Sequence, residues 1–400
     1  MICACAVRIV CVVLLASGSL GAQNIAPAVR PPKGDLPPVL KQTTSAIAKA
    51  FSSPLHLVVG SVASGGGLAG GLGIDIDPPA PWAAKIKGLY SIQQYWVVES
   101  VLRFEGRRAM VEAYGRLRDL PQIAFYGLGT ASDLDQRTNF DMREDQAGVD
   151  ASFRVAPWVT VSGRAEQSWI DVNAGRAKNQ LSIEQVFSDQ AAPGLMQQPR
   201  FGRYEGALEF GIPASVGEGL FQGLKTRASH ARWVDQELDR FSFTRVELEA
   251  QQRFAVFMPK HRLTLHAWIS TSAADAGQAV PFYLQRTLGG RGQLRSVHEE
   301  FLGSDGTGAS LRGYDTYRFR GQHLLLMQAE YRIPIWTLLD ATVFYDAGKV
   351  TAERSQLDLS GLRQNYGVSL SAMRGIATAA RVDVGFGGEG VQLLVSISTK

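Results

Sequence analysis

The sequence predicts an all-β protein, a transmembrane antiparallel β-barrel of about 16 strands. From Leu55 onward, apolar and polar residues alternate with a period of two, which is the pattern of strands with one apolar face. The polar faces carry many small and charged residues, as a water-filled lumen requires. A soluble β-sandwich alternates in the same way, so these polar faces and the order of the connections favour the barrel.

The alternation is clear in the segment 365–372, where Tyr366 and Val368 lie on the face opposite Asn365 and Ser369. Repeating this assignment along the chain gives an even number of strands, as bacterial outer-membrane barrels have. The predicted strands are 55–64, 67–77, 83–92, 95–105, 107–119, 142–156, 158–171, 201–212, 223–235, 239–252, 260–270, 322–335, 339–348, 364–374, 378–387 and 391–399.

The lengths of the connections set the orientation of the predicted barrel. Every long connection follows an odd-numbered strand, whereas most of the others are tight turns. With the N-terminus on the periplasmic side, the long connections face the cell exterior, where outer-membrane barrels carry their longer loops. The long connections are 120–141, 172–200, 271–321 and 349–363.

The first 22 residues have the features of a secretory signal peptide. Arg8 precedes the apolar run 9–16, and small residues end at Ala22. The chain's three cysteines all lie within this segment, so the mature protein is predicted to have no thiol for a disulfide, a zinc site or nucleophilic catalysis. They are Cys3, Cys5 and Cys11.

Between the signal peptide and the barrel, residues 23–54 are rich in proline and predict an extended periplasmic linker. Residues 55–400 form the predicted outer-membrane barrel domain, in a chain of 400 residues. The 41 basic and 37 acidic residues give a net charge of +4, so no nucleic-acid partner is expected.

Motifs for enzymatic chemistry are weak. The G-x-G-x-x-G pattern at 65–70 lies across a predicted hairpin with no helix after it, which a dinucleotide site requires. The six histidines form no metal-binding motif, so we expect no catalytic residue, cofactor or metal, although a serine–histidine pair across strands stays open. Glycine-rich strands pair loosely, and the glycines here are Gly65, Gly66, Gly67, Gly70, Gly71 and Gly73.

A set of ordered motifs resembles the barrel domain of the BamA/TamA superfamily, also called the bacterial surface antigen family. The resemblance covers about 55–400, and in that family the Arg-Gly-aromatic motif sits in the sixth extracellular loop, between strands eleven and twelve. The main motifs are Pro281-Phe282-Tyr283-Leu284, Leu288-Gly289-Gly290, Leu311-Arg312-Gly313-Tyr314, Arg318-Phe319-Arg320, Ala329-Glu330-Tyr331-Arg332-Ile333-Pro334 and Phe344-Tyr345-Asp346-Ala347-Gly348.

The resemblance implies that this long sixth loop folds into the lumen, where Arg312, Gly313 and Tyr314 form a latch. Alternation places Glu330 and Asp346 on the polar faces of their strands, and an arginine can grip carboxylates with two parallel hydrogen bonds. Gly313 would allow a close approach or a positive φ at the loop tip. From the sequence alone, an exposed Arg312 without a defined contact is an equal alternative.

The resemblance also implies a function: insertion or translocation of outer-membrane proteins, or movement of polypeptide or lipid, through a weak seam between the first and last strands. Gly65–Gly73 is compatible with such a seam. Expected partners are outer-membrane lipid and, by resemblance, client outer-membrane proteins or periplasmic factors. A surface antigen or anchoring barrel and a passive pore are the alternatives, since only 23–54 is expected before the barrel and the chain ends without an aromatic residue.

Overall fold

The computed structural model describes residues 54–79, 81–212, 221–258, 260–290, 310–374 and 377–397. The predicted signal peptide and the linker up to residue 53 lie outside these residues. The strands are β1 (Leu55–Gly60), β2 (Ala69–Ile76), β3 (Trp82–Ser91), β4 (Trp96–Glu105), β5 (Ala109–Phe125), β6 (Thr138–Ala156), β7 (Val159–Ala174), β8 (Phe201–Ile212), β9 (Phe221–Asp235), β10 (Phe243–Ala255), β11 (Arg262–Ala274), β12 (Arg286–Leu288), β13 (Phe319–Gly321), β14 (His323–Trp336), β15 (Leu339–Thr351), β16 (Arg363–Arg374), β17 (Ala377–Gly387) and β18 (Gly390–Ile397).

Sixteen of these strands form one antiparallel sheet in chain order, so the predicted all-β barrel architecture and its strand number are confirmed. The short strands β12 and β13 form a separate hairpin within the connection between β11 and β14. Helical structure in the described residues is confined to single 3-10 turns such as Ile183–Gln185, and no described helix is long and apolar enough to cross a membrane.

The burial pattern of the sheet is the reverse of that in a soluble protein. On β16, Tyr366, Val368 and Leu370 are exposed, whereas Asn365 and Ser371 are buried. The same division, apolar outside and polar inside, recurs along the other strands. Rows of exposed large apolar side chains are stable only against lipid, and the polar inner faces form the lumen.

Strand length varies strongly around the sheet. β5, β6 and β7 have 17, 19 and 16 residues, whereas β1, β2 and β18 have 6, 8 and 8. The hydrogen-bonded order begins at β1 and ends at β18, so the shortest strands lie at its two ends. The two ends are therefore the least extensively paired part of the sheet.

Some predicted boundaries differ from the structure. β5 continues to Phe125 rather than to 119, and β6 begins at Thr138 rather than at 142. The alternation ends there because Leu120, Ile123 and Phe125 are all buried around a shift in register, so strict parity is lost. Loop side chains cover the inner face at this end of β5 and β6. A strand that is apolar on both faces loses its period-two signal.

The end of the sheet that carries the long loops, which is the predicted extracellular end, is filled by them. We call 126–137 loop three, 175–200 loop four, 275–322 loop six and 352–362 loop seven. Phe282 of loop six packs edge-to-face against Phe125 and Phe140, with ring centroids 5.2 and 5.0 Å apart. Ile183 of loop four and Tyr317 of loop six are buried in the same apolar cluster, so the predicted inward folding of loop six is confirmed.

Candidate functional site

The candidate site is a group of charged side chains on the lumen faces of β14 to β17. Antiparallel register places Gln328 opposite Asp346, Asp346 opposite Asn365, and Ser369 opposite Asp383. Because alternate residues of a strand point to one side, these side chains all face inward. Asp346 and Asp383 are at most 1% exposed, so the group is removed from bulk water.

Arg312 of loop six lies at the centre of this group. Its Nε donates to Asp346 Oδ2 at 2.9 Å and its Nη2 donates to Asp346 Oδ1 at 2.5 Å, so the two side chains form a bidentate ion pair. Its Nη1 donates to Glu330, and its guanidinium carbon lies 3.6 Å from the centroid of the Phe344 ring. The structure therefore places Arg312, which is 1% exposed, between the two carboxylates indicated by the sequence.

A second buried arginine completes the network. Arg381 donates to Asp383 Oδ1 at 2.7 Å, to Glu330 Oε1 at 2.9 Å and to Ser369 Oγ at 3.0 Å. Glu330 thus accepts from two guanidinium groups, one from loop six and one from β17. The two arginines and the carboxylates of Glu330, Asp346 and Asp383 leave one negative charge in excess within this five-residue group.

Neighbouring carboxylates keep the Arg312 guanidinium positively charged. Burial by itself lowers the pKa of the Arg312 guanidinium, but the Asp346 and Glu330 carboxylates outweigh it and raise the pKa above the ordinary value. Neutral donors support the same carboxylate, since Gln328 Nε2 and Asn365 Nδ2 donate to Asp346 at 3.0 and 2.9 Å. Such fully bonded ion pairs tolerate burial, whereas a stranded charge does not.

Gly313 permits a close backbone approach. A Cβ atom at this position would lie 2.6 Å from the Gly387 nitrogen, so only glycine fits against β17. Gly385 is equally constrained, because its Cβ would lie 2.5 Å from the Arg312 carbonyl oxygen. The positive φ expected as one option at Gly313 falls instead on Leu311, at 45°, because the turn precedes the contact.

Tyr314 anchors the apolar side of the latch. Its ring packs edge-to-face against Phe319 at 5.2 Å, within a buried cluster that includes Trp268 and Leu311. Its hydroxyl donates to the Gln364 carbonyl oxygen at 3.2 Å. The three residues of the motif therefore make three kinds of contact: ionic, backbone and apolar.

Loop six is also bonded to loop three and to the last hairpin of the sheet. Arg318 Nε donates to Glu389 in the β17–β18 turn at 2.8 Å, and its Nη2 donates to the Ser132 carbonyl oxygen of loop three at 2.7 Å. Asp315 accepts from Gln392 of β18 at 2.7 Å and from the Tyr126 hydroxyl at 3.0 Å. Loop six thereby connects distant strands across the lumen.

The glycines assigned to a possible seam have different environments. Gly65 and Gly67 adopt positive φ values of 84° and 71° in the β1–β2 turn, and Gly66 packs against the Tyr95 ring. Added Cβ atoms at the two lumen-facing positions would clash with the Gly88 carbonyl and the His56 ring, so these positions are packed tightly rather than loosely. These positions are Gly71 and Gly73; Gly70 alone of the six has nothing within 4 Å.

Several residues of the network were not singled out as site residues by sequence reasoning. Alternation puts Arg381 and Asp383 on a lumen face, which is a usable signal, but it does not show which side chains they meet. Asn365 and Ser369 had the same signal. Gly385 had none, because its role depends on where loop six crosses β17.

Comparisons with known proteins concern the family and the fold of the chain. Residues 218–388, which contain the whole latch, match the Omp85 superfamily domain. The fold is similar to that of BamA from Haemophilus ducreyi lacking POTRA domains 1–3, with 14% identity, a TM-score of 0.56, and coverage of 89% of this chain and 78% of that one.

Two CdiB structures are similar as well. CdiB from Escherichia coli has 12% identity and a TM-score of 0.57 and covers 86% of this chain and 62% of its own; for CdiB from Acinetobacter baumannii the values are 12%, 0.51, 86% and 56%. The chain therefore spans less than two thirds of either CdiB protein. No curated protein sequence matches significantly. At these low sequence identities, the structural similarity shows a shared fold and no more.

Proposed function

We propose, from the premise that this chain carries an Omp85-type outer-membrane barrel of the BamA/TamA kind, that it inserts or translocates other outer-membrane polypeptides through the seam between β1 and β18. The observation that carries the proposal is the asymmetry of this seam. On one side, β1 and β2 are short and contain glycine; on the other, β18 is also short, but the strands β14 to β17 next to it are held by the buried ionic network.

The short strands favour an opening at this place. β1 has 6 residues and pairs with β2 over six positions, from Leu55↔Ile74 to Gly60↔Ala69. At a rise of about 3.3 Å per residue, six residues span roughly 20 Å, less than the ~30 Å hydrocarbon core of a bilayer. A lipid bilayer thins beside such short strands, which lowers the barrier for a new strand to enter.

We expect the strand edges of an opened seam to supply the driving force. A sheet edge carries unpaired N–H and C=O groups, which are costly in lipid because no water is present to bond them. An incoming strand satisfies these groups by adding to the edge. Arg312 and Arg381 hold β14 to β17 in fixed register, so we expect movement to be concentrated on the β1–β2 side.

The test is whether lipid vesicles containing the purified full-length protein accelerate the folding of a second, unrelated barrel. Gly70→Val should slow this reaction, because a β-branched side chain stiffens β2 and an added Cβ there has nothing within 4 Å. Gly206→Val in β8 is the matched control, since Gly206 is also exposed with nothing within 4 Å but lies far from the seam in strand order. Equal activity in both variants, or no acceleration by the wild type, would overturn the proposal.

Conductance and folding assays together distinguish the alternatives. A passive pore requires steady conductance of the wild-type protein in planar bilayers, whereas the loop-filled lumen favours a closed state. A barrel that neither conducts nor accelerates folding would be a surface antigen or an anchor. Counting outer-membrane proteins in cells depleted of this protein extends the test to its natural clients.

A further inference from the structure

A second polar feature of the lumen lies away from the latch, between loop six and the wall formed by β5 to β10. It is a cavity of about 40 Å³, lined on the loop side by Tyr283–Thr287. Among the described lining residues, five are arginines and one is a carboxylate. They are Arg116 and Arg118 of β5, Arg203 of β8, Arg245 of β10, Arg286 of β12 and Glu144 of β6.

Positive charge exceeds negative charge on the β5 side of this cavity. Arg116 and Arg118 share the single carboxylate of Glu144, with Arg116 Nη2 at 3.3 Å. The next carboxylate, Glu99, is 4.0 Å from Arg116 and is already paired with Lys87 at 2.7 Å. Two adjacent guanidinium groups therefore depend on one nearby carboxylate.

Both carboxylate oxygens of Glu144 already accept hydrogen bonds from neighbouring side chains. Oε2 accepts from both arginines, and Oε1 accepts from Gln146 Nε2 at 2.8 Å. On the opposite side, Arg286 forms a two-pronged pair with Glu247 at 2.9 and 2.6 Å, which holds its guanidinium against the wall. The cavity thus has fixed cationic walls.

Buried donors beside the cavity lack acceptors. The Nε atoms of Arg116 and Arg118 and the Tyr283 hydroxyl have no hydrogen-bond partner in the described part of the chain, although their side chains are more than nine-tenths buried. Each of these groups can donate a hydrogen bond. An oxyanion carries the charge opposite to that of the arginines and accepts such hydrogen bonds. Gln285 Oε1, a lining acceptor that also has no hydrogen-bond partner in the described residues, can accept from the O–H that inorganic phosphate carries near neutral pH.

We propose that this cavity binds one small oxyanion of the size of inorganic phosphate, and that the bound anion fastens the Tyr283–Thr287 arm of loop six to β5. Its volume equals the space of about three waters, at ~10–15 Å³ each, which accommodates a free tetrahedral anion but not a phospholipid headgroup with its glycerol. This site lies outside the latch and does not depend on what the barrel transports.

Equilibrium dialysis of the full-length protein in detergent micelles against radiolabelled inorganic phosphate tests this proposal. We expect about one phosphate per chain, displaced by sulfate and not by phospholipid. Arg118→Gln should weaken binding about ten-fold or more, the loss expected for one charge-assisted hydrogen bond. Arg227→Gln is the matched control, because Arg227 is a lumen arginine that bonds Glu205 at 2.5 Å and lies outside the cavity lining.

Tyr283→Phe provides a second variant that removes one donor and keeps the shape of the loop, and it should weaken binding several-fold. The heat-dependent gel mobility of folded barrels shows whether each variant has folded. Absence of phosphate binding by the folded wild type overturns the proposal. So does equal binding by Tyr283→Phe, Arg118→Gln and Arg227→Gln. Displacement by phospholipid would assign the site to a lipid phosphate instead.

Discussion

Replacing Arg312 by alanine should undock loop six from the wall. The substitution removes both guanidinium bonds to Asp346 and leaves that carboxylate, which is fully buried, with neutral donors from Gln328 and Asn365. Glu330 loses one cation but keeps Arg381 at 2.9 Å. The main cost is therefore the stranded charge of Asp346.

The magnitude follows from these contacts. Removing one partner of a buried ion pair costs ~3–5 kcal/mol, and the donors that remain place this case at the lower end, about 3 kcal/mol. Because the loss falls on a docked loop, it should appear as local opening, increased about a hundred-fold. Adding Asp346→Asn to Arg312→Ala removes the stranded charge and should recover about 1–2 kcal/mol.

Thiol labelling measures this opening. Ser310 is 1% exposed in docked loop six, and the mature chain is predicted to have no cysteine, so Ser310→Cys would be its single thiol. We expect maleimide labelling about a hundred-fold faster with Arg312→Ala than without it. Arg137→Ala is the control, since the Arg137 side chain is 45% exposed and pairs with Asp315 at 3.3 Å, a contact worth at most about 1 kcal/mol. Labelling of Arg312→Ala no faster than that of Arg137→Ala would refute the reasoning.

Two further predictions concern the close approach at Gly385 and the pH dependence of loop seven. Gly385→Ala should speed the same labelling reaction, because its Cβ would lie 2.5 Å from the Arg312 carbonyl oxygen, whereas Gly206→Ala, with nothing within 4 Å, should not; equal rates would contradict the close approach. Lys349 of β15, with its Nζ 2.6 Å from Asp358 Oδ1, lowers the pKa of this loop-seven carboxyl to about 2. Since this pKa lies below that of the unfolded chain, the stabilisation is present above about pH 4 and is lost as the pH falls toward 2. Hydrogen exchange in 352–362 should therefore increase over that range, beyond its intrinsic pH dependence, in the wild type and not in Asp358→Asn; a shared response would argue against the ion pair.

The sequence predicted the strands well because alternation is a local property. A residue's face in a strand depends on the parity of its position, and the apolar face must meet lipid wherever the strand lies. At the β5–β6 end, parity failed where tertiary contacts replaced lipid and water. At Leu120 and Ile123, the loops cover the inner face, so apolar residues occur at positions that the pattern had assigned to a loop.

The site could be predicted only in part, for the same reason. Parity put Glu330 and Asp346 in the lumen, and resemblance directed Arg312 toward them. Neither indicated that Arg381 would share Glu330, since their strands are not adjacent in the sheet. That contact depends on the curvature of the sheet, and the curvature is set by many residues together.

The sequence by itself determined the strands and their two faces, because these follow from a two-residue period and from chain order. The tertiary structure decided the path of loop six, the shared carboxylate between Arg312 and Arg381, and the need for glycine at Gly313 and Gly385. Those features arise where segments far apart in the chain meet. There, close packing and buried charge, rather than local pattern, select the conformation.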